Sequence, residues 1–284
     1  MPMLIGHGHL LDDFKKLAAQ KKLGHGYIFF GAPRIGKRLF AQSFARFLER
    51  GVFSADEGEG IPILSDLKLI EPDANHLIGI DAIREIRHFL WQMPNQSPYR
   101  TLIVDGSHLM TDEAQNALLK IAEEPTSRAL IILITHDPEK MRPTLRSRFQ
   151  PVYFAPVAAP AVKKWLVTEF KASETAADRL AKESFGCPGL AWRRLRDQKF
   201  QELEEQAKRF LSLRHREQAN YIKELVAEDD FNMQAFLEAV LIARLPLKTS
   251  DFGFWHRALE LRRDASYLNI NPRLQLTALA ATLT

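Results

Sequence analysis

Cysteine is almost absent from this chain, because Cys187 is the only one among its 284 residues. A single thiol excludes an intramolecular disulfide, and it excludes a zinc site built from several cysteines. We therefore expect no structural zinc and a reducing compartment such as the cytoplasm.

The sequence also lacks a long apolar run and a strong excess of either charge. Its most apolar stretch, Ala129 to Ile134, is far too short to cross a bilayer, and Met1 to Leu10 lacks the regions of a signal peptide. The 39 basic and 35 acidic residues leave a net charge of +4, which is only a weak indication of a nucleic-acid partner. These features predict a soluble, cytoplasmic protein that makes no membrane contact.

A phosphate-binding loop is the most informative stretch that is present. The apolar run Tyr27 to Phe30 leads directly into Gly31-Ala32-Pro33-Arg34-Ile35-Gly36-Lys37-Arg38, which matches the pattern G-x-x-x-x-G-K of nucleotide-binding proteins. Gly31 and Gly36 allow the backbone to curl so that its N–H groups point inward, and Lys37 would reach the phosphates. The sequence thus predicts a nucleotide site at the start of a helix.

This site keeps one residue of an active site and departs from it at another. Arg38 stands where a Ser or Thr hydroxyl normally binds Mg²⁺. Asp105 ends the apolar run Thr101 to Asp105, where the second metal-binding acid of such proteins belongs; its alternative role is that of an ordinary helix cap. We therefore expect a loop that is shaped for phosphate but impaired for hydrolysis.

The order of elements predicts an α/β fold with a parallel sheet covered by helices on both faces. Pro156 and Pro160 mark a boundary, after which short helices are expected, and the pattern is helical from about Asp197 onward. The predicted domains are an α/β domain at 1–157, a small helical lid at 158–196 and an all-α oligomerisation domain at 197–284.

Several further motifs resemble those of bacterial clamp-loader subunits, which belong to the AAA+ superfamily. They are Asn116-Ala117-Leu118-Leu119-Lys120 with Glu123-Glu124-Pro125, Thr135-His136-Asp137-Pro138, and Leu145-Arg146-Ser147-Arg148-Phe149. The resemblance extends over essentially the whole chain, including Asn271-Pro272-Arg273-Leu274 near its end.

Within that family the damaged site resembles the delta-prime type of DNA polymerase III. Gly106 stands where active members carry the glutamate that orients the attacking water, and Gly189 stands where they carry an arginine of the lid. Many delta-prime relatives have four zinc-binding cysteines after the loop helix, whereas Val52 to Ile70 contains none.

The resemblance implies a stationary subunit that does not itself hydrolyse ATP. Its partners would be ATPase subunits of the gamma/tau type, the delta subunit, the sliding clamp and primer-template DNA. Arg148 would act in trans as an arginine finger in a neighbour's ATP site, and the C-terminal helical domain would form a collar. Arg84 is a candidate contact to the DNA backbone or an ordinary solvated helix residue. No cofactor would be required, and the binding of ATP or ADP stays open.

Three other functions compete with this interpretation. An active motor ATPase of the same fold is disfavoured jointly by Arg38, Gly106 and Gly189. A nucleotide kinase or other P-loop transferase is disfavoured, because the Ser-Arg-Phe segment at 147–149 and the C-terminal helices are not features of such enzymes. A stand-alone DNA-binding module would need a denser basic stripe.

Overall fold

The computed structural model describes residues 4–53, 64–73, 76–227, 231–245, 251–265 and 271–283. The chain forms two compact units, Met1–Trp192 and Arg193–Thr284. The residues predicted as a lid lie mostly in the first unit, and the predicted boundaries at 157/158 and 196/197 stay predictions. No helix in these described ranges is long and apolar enough to span a membrane. Residues 54–63, within the cysteine-free segment Val52 to Ile70, lie outside the described residues.

The first unit is built on a five-stranded sheet in which every neighbouring pair is parallel. Its strands are β1 (Gly26–Phe30), β2 (Leu67–Ile70), β3 (Arg100–Asp105), β4 (Ala129–Thr135) and β5 (Gln150–Tyr153). Their order across the sheet is β2-β3-β4-β1-β5. All five carboxyl ends therefore meet at one edge, where α/β sheets place their ligands.

Helices cover both faces of this sheet. They are α1 (Gly8–Ala19), α2 (Lys37–Arg50), α3 (Ile80–Trp91), α4 (Asp112–Glu123) and α5 (Pro143–Arg146). Three more helices follow the last strand in the chain, namely α6 (Ala159–Phe170), α7 (Glu174–Glu183) and α8 (Pro188–Arg196). Leu102 and Val104 pack with α3 and α4 on one face, whereas Ile103 packs with α1 and α2 on the other. Burial on both faces explains why the inner strands are continuously apolar rather than alternating. The predicted α/β class is confirmed.

The last strand differs from its prediction. The apolar residues Val152 to Phe154 predicted this strand, but it begins at Gln150, which pairs with Tyr27 of β1. Because β5 is an edge strand with mostly exposed residues, its first half carries no apolar pattern. Pro151 is tolerated there because an edge strand can spare one backbone donor.

The second unit is helical throughout its described part. Its helices are α9 (Gln198–Ser212), α10 (His215–Val226), α11 (Met233–Ala243), α12 (Phe252–Asp264) and α13 (Pro272–Ala280), followed by a 3-10 turn at Ala281–Leu283. Phe210, Phe236 and Leu276 lie at the centre of its own core. This helical content agrees with the pattern that the sequence shows from about residue 197.

Candidate functional site

The phosphate loop connects β1 to α2 and needs glycine at both of its fixed positions. Gly31 has φ 141° and Gly36 has φ 109°, a region that side chains with a Cβ rarely adopt. A Cβ on Gly31 would also lie 2.5 Å from the carbonyl oxygen of Phe154. The loop geometry that the sequence predicted is therefore present at the carboxyl edge of the sheet.

Lys37 is directed back at its own loop. Its Nζ is buried and donates to the carbonyl oxygens of Gly31, at 2.7 Å, and of Ala32, at 2.8 Å. Burial lowers the pKa of Lys37 to about 8, against the opposing effects of Asp105 and Cys187. Two carbonyl oxygens of the loop itself therefore accept the hydrogen bonds of the Lys37 ammonium group.

Arg38 bridges two carboxylates at the carboxyl edge of the sheet. Its Nη1 donates to Glu71, which directly follows β2, and lies 3.3 Å from Oδ2 of Asp105 at the end of β3. Burial by itself would lower the pKa of Arg38, but Glu71 and Asp105 have the larger, opposite effect, so the pKa of Arg38 is raised. Burial also raises the pKa of Asp105, and Arg38 counteracts that rise. The sequence analysis missed Glu71, although its place after a strand was a usable signal.

These residues do not fit a magnesium-bound nucleotide. Mg²⁺ needs oxygen ligands, whereas here the hydroxyl is missing and both carboxylates hold a guanidinium. The cluster is also electrically balanced, since Lys37 and Arg38 offset Glu71 and Asp105. In the described ranges, no group of three or more His, Cys, Asp or Glu side chains could hold a metal ion.

Gly106 follows Asp105 in a left-handed backbone conformation, with φ 73°. A Cβ at this position would lie 3.2 Å from Cγ of Pro72. Gly106 therefore has no side chain that could activate water. A residue with a Cβ at this position would have a strained backbone conformation.

The start of α8 packs directly on the phosphate loop. The N–H of Gly189 donates to the carbonyl oxygen of Arg34 at 2.9 Å, and a Cβ on Gly189 would lie 2.7 Å from that oxygen. Arg34 itself has a positive φ of 59°. Glycine at 189 therefore permits a contact between α8 and the phosphate loop that a larger residue would block.

Two histidines near the loop were not singled out from the sequence. Buried His7 lies with its Nε2 3.1 Å from the carbonyl oxygen of Ile35, and burial lowers its pKa. His108 packs edge-on against His136, with ring centroids 4.0 Å apart. Burial, aided by His136, Lys140 and Lys37, lowers the pKa of His108 to about 3. Their burial depends on tertiary packing, so no local pattern predicted it.

Arg148 lies at the amino ends of the strands, opposite the carboxyl ends that carry the phosphate loop. It follows α5 and precedes β5, whose carboxyl end is the one beside the phosphate loop. Its Nη2 donates to Oε1 of Glu123, at the end of α4, at 3.1 Å. The structure thus separates Arg148 from Lys37 and Asp105, so it cannot serve its own chain's nucleotide site.

Arg84 lies on the wall of a groove of about 670 Å³ between α3 and α4. Arg87 and Lys120 line the same groove, together with three glutamates, Glu113, Glu123 and Glu124. Arg84 pairs with exposed Asp81 at 3.2 Å, and Arg87 lies over the ring of Trp91. The groove therefore gathers basic residues that are separate in sequence, but its overall charge is balanced.

Comparison with known proteins supplies the family. A family model described as "DNA polymerase III, delta subunit" matches residues 6–158, which is more than half of the chain. DNA polymerase III subunit delta' of Escherichia coli is 30% identical over 64% of this chain and 58% of its own length. Subunit tau of Bacillus subtilis is 32% identical over 56% of this chain and 30% of its own length. The matched part of the chain thus spans less than two thirds of the length of each of these curated relatives.

Solved structures support the fold. A DNA polymerase III gamma-subunit-related protein from Thermotoga maritima superposes with a TM-score of 0.59 and 21% identity, covering 95% of this chain and 98% of that one. The RuvB Holliday junction branch migration motor of the same organism gives a TM-score of 0.51 at 16% identity, covering 91% and 78%. The chain therefore shares the α/β fold of these two structures. The family model shows that it belongs to the clamp-loader subunit family of DNA polymerase III.

Proposed function

We propose that this chain is the non-hydrolysing, delta-prime-type subunit of a DNA polymerase III clamp loader. The observation that carries the proposal is the engagement of Arg38 with both Glu71 and Asp105. Those carboxylates would otherwise be available to a metal ion, and Gly106 removes the base as well. Loss of metal ligation and of water activation takes away two separate contributions to transition-state stabilisation.

The curated relatives include both delta' and gamma/tau subunits, so an active motor ATPase is the alternative to be tested. Under the proposal, the isolated chain shows negligible steady-state ATP hydrolysis beside a gamma/tau-type subunit measured in the same buffer. Turnover that matches the active subunit would refute the proposal. No cofactor is required for the stationary role.

The chain's contribution to catalysis would be Arg148, acting in trans. Its position at the edge opposite its own phosphate loop supports a role in a neighbour's site. A guanidinium offers planar, paired donors that match phosphate oxygens and stays charged at any working pH. Arginine fingers supplied by a partner are worth about 10³ to 10⁵ in rate in GTPases.

The decisive experiment measures ATPase and clamp loading of a reconstituted complex that contains Arg148→Ala. We expect clamp loading to fall roughly tenfold or more while the complex keeps its mass, because a transition-state contact is lost. Arg148→Lys should rescue little, since a point charge cannot reproduce the fork. Arg146→Ala is the matched control, because Arg146 lies on the same segment but its side chain is 29% exposed, against 49% for Arg148. Full activity of the assembled Arg148→Ala complex would remove this assignment.

DNA contact would be limited to the groove between α3 and α4. Arg84, Arg87 and Lys120 could meet a phosphate backbone there, but three glutamates share the lining. A balanced groove cannot supply the counterion release on which autonomous DNA binding depends. This chain would therefore touch primer-template DNA within the complex, beside the sliding clamp, the delta subunit and the gamma/tau subunits, rather than bind DNA alone.

A further inference from the structure

The side chain of Arg148 is held by a single carboxylate. Its Nη2 donates to Oε1 of Glu123 at 3.1 Å, and the two side chains are 49% and 44% exposed. Arg142 and Arg146 do not compete for Glu123, because they pair with Asp112 and Glu139. Among the described contacts of Arg148 only Nη2 is engaged, which leaves Nη1 and Nε on the guanidinium for another acceptor.

The backbone beneath Arg148 is fixed independently of this ion pair. Buried Phe149 fills the space beside Gly26, where a Cβ would lie 2.4 Å from its ring. The N–H of Arg148 donates to Leu145 at 3.1 Å, and that of Phe149 donates to Arg146 at 3.2 Å. The remaining freedom of Arg148 is therefore the rotation of its side chain, which is the freedom that Glu123 restricts.

We propose that Glu123 is a positioning residue for Arg148, which rests on the role of Arg148 proposed above. By holding one edge of the guanidinium, Glu123 presents the other edge to an anion outside the chain, such as a phosphate of a neighbour's nucleotide. An arginine that is oriented in advance loses less rotamer entropy when it binds. Glu123 is thus part of the machinery of the interface although it touches no substrate.

The test uses the reconstituted complex with Glu123→Ala, Glu123→Gln and Glu169→Ala, each at wild-type complex mass. Exposed ion pairs are weak, so Glu123→Ala should lower kcat about two- to fivefold without changing the KM for ATP. Glu123→Gln keeps an oxygen acceptor for Nη2 and should stay within about twofold of the wild type. Glu169→Ala, the matched control, removes an exposed carboxylate of α6 outside the groove between α3 and α4 and should have no effect on kcat.

A double variant separates this inference from the function on which it rests. In the Arg148→Ala background, Glu123→Ala should cause no further loss, because it acts through Arg148. If Arg148→Ala is impaired but Glu123→Ala equals or exceeds the wild type, the positioning role is wrong and the finger assignment stands. The positioning role is also wrong if Glu123→Ala lowers kcat by the same factor in the presence and in the absence of the Arg148 side chain. If Arg148→Ala itself is fully active, the proposed function fails first.

Discussion

Among single residues, Arg38 has the largest effect on what the site can bind. A hydroxyl in its place would leave Asp105 and Glu71 open to a cation, whereas the guanidinium pairs with both. Lys37 donates to carbonyl oxygens of its own loop. The charged groups of this site are therefore engaged by groups of the chain itself.

Arg38→Thr should open the site to a magnesium-bound nucleotide. We expect the affinity for a fluorescent ATP analogue in Mg²⁺ to rise about tenfold, or about 1.4 kcal/mol, while hydrolysis stays negligible because Gly106 is unchanged. Arg38→Lys, which keeps a cation in place, should show no such gain. Equal affinities of the wild type and Arg38→Thr, measured by fluorescence titration, would contradict the interpretation of Arg38 as a barrier.

His108 should make the first unit sensitive to acid. Its pKa is about 3 in the folded protein against 6.5 for the free side chain, so the unfolded chain binds the extra proton between these values. Folding stability is therefore complete above about pH 6.5 and falls as the pH decreases. Because the side chain is partly exposed, we expect this residue to contribute a loss of only about 1 kcal/mol at pH 5.

Urea unfolding at pH 7.5 and pH 5.0 measures that loss. His108→Gln should narrow the difference in unfolding free energy between the two pH values, because glutamine does not titrate. His88→Gln, on the exposed surface of α3, is the control and should leave the difference as it is. The attribution to His108 fails if both variants behave like the wild type.

At the scale of elements, the contact between α8 and the phosphate loop depends on one glycine. Gly189→Ala would place a Cβ 2.7 Å from the carbonyl oxygen of Arg34, so the start of α8 must shift. We expect a loss of about 1–2 kcal/mol in unfolding free energy. Gly253→Ala on α12 is the matched control, because a Cβ there would meet no described atom within 4 Å.

Alanine is the better helix former, so Gly253→Ala should be neutral or slightly stabilising, by up to about 1 kcal/mol. Thermal or chemical unfolding of the two variants makes the comparison. A Gly189→Ala protein as stable as the wild type would show that α8 does not depend on this close approach.

At the scale of the whole molecule, the second unit offers a surface suited to assembly. Phe252 is 77% exposed and Leu259 is 46% exposed, and both lie on α12 with His256 between them. Leu274 on α13 is exposed as well. Exposed apolar side chains that lie together on one helix face, as Phe252 and Leu259 do, can mark a protein–protein interaction surface. We therefore expect this surface to carry subunit assembly in the collar.

Phe252→Ser with Leu259→Ser should weaken complex formation with the other subunits by about tenfold or more, since two apolar anchors are removed. Analytical size exclusion and complex mass measure the result, and circular dichroism verifies that the helices persist. Tyr153→Ser, an exposed aromatic residue of β5 in the first unit, serves as the control. Assembly at wild-type affinity by the double variant would exclude α12 from the collar interface.

Local pattern alone predicted much of this architecture. The continuous apolar run Thr101 to Asp105 predicted a strand of a sheet covered on both faces, and the helical pattern from about Asp197 onward matches the helices of the second unit. The phosphate loop with its defect at Arg38, and the motif around Arg148, are likewise properties of the sequence. Such features are predictable because each depends on residues that are neighbours in the chain.

The partners of these residues were decided by the tertiary structure. Glu71 meets Arg38 across 33 positions, and Glu123 meets Arg148 across 25 positions. The first pair lies at the carboxyl ends of the strands and the second at the opposite ends. In both places the parallel sheet brings distant segments of the chain together, and no local spacing encodes that approach. The same holds for Gly189 against Arg34 and for the burial that lowers the pKa of His108. The sequence by itself determined which groups the chain carries, whereas the packing of sheet and helices decided which of them meet.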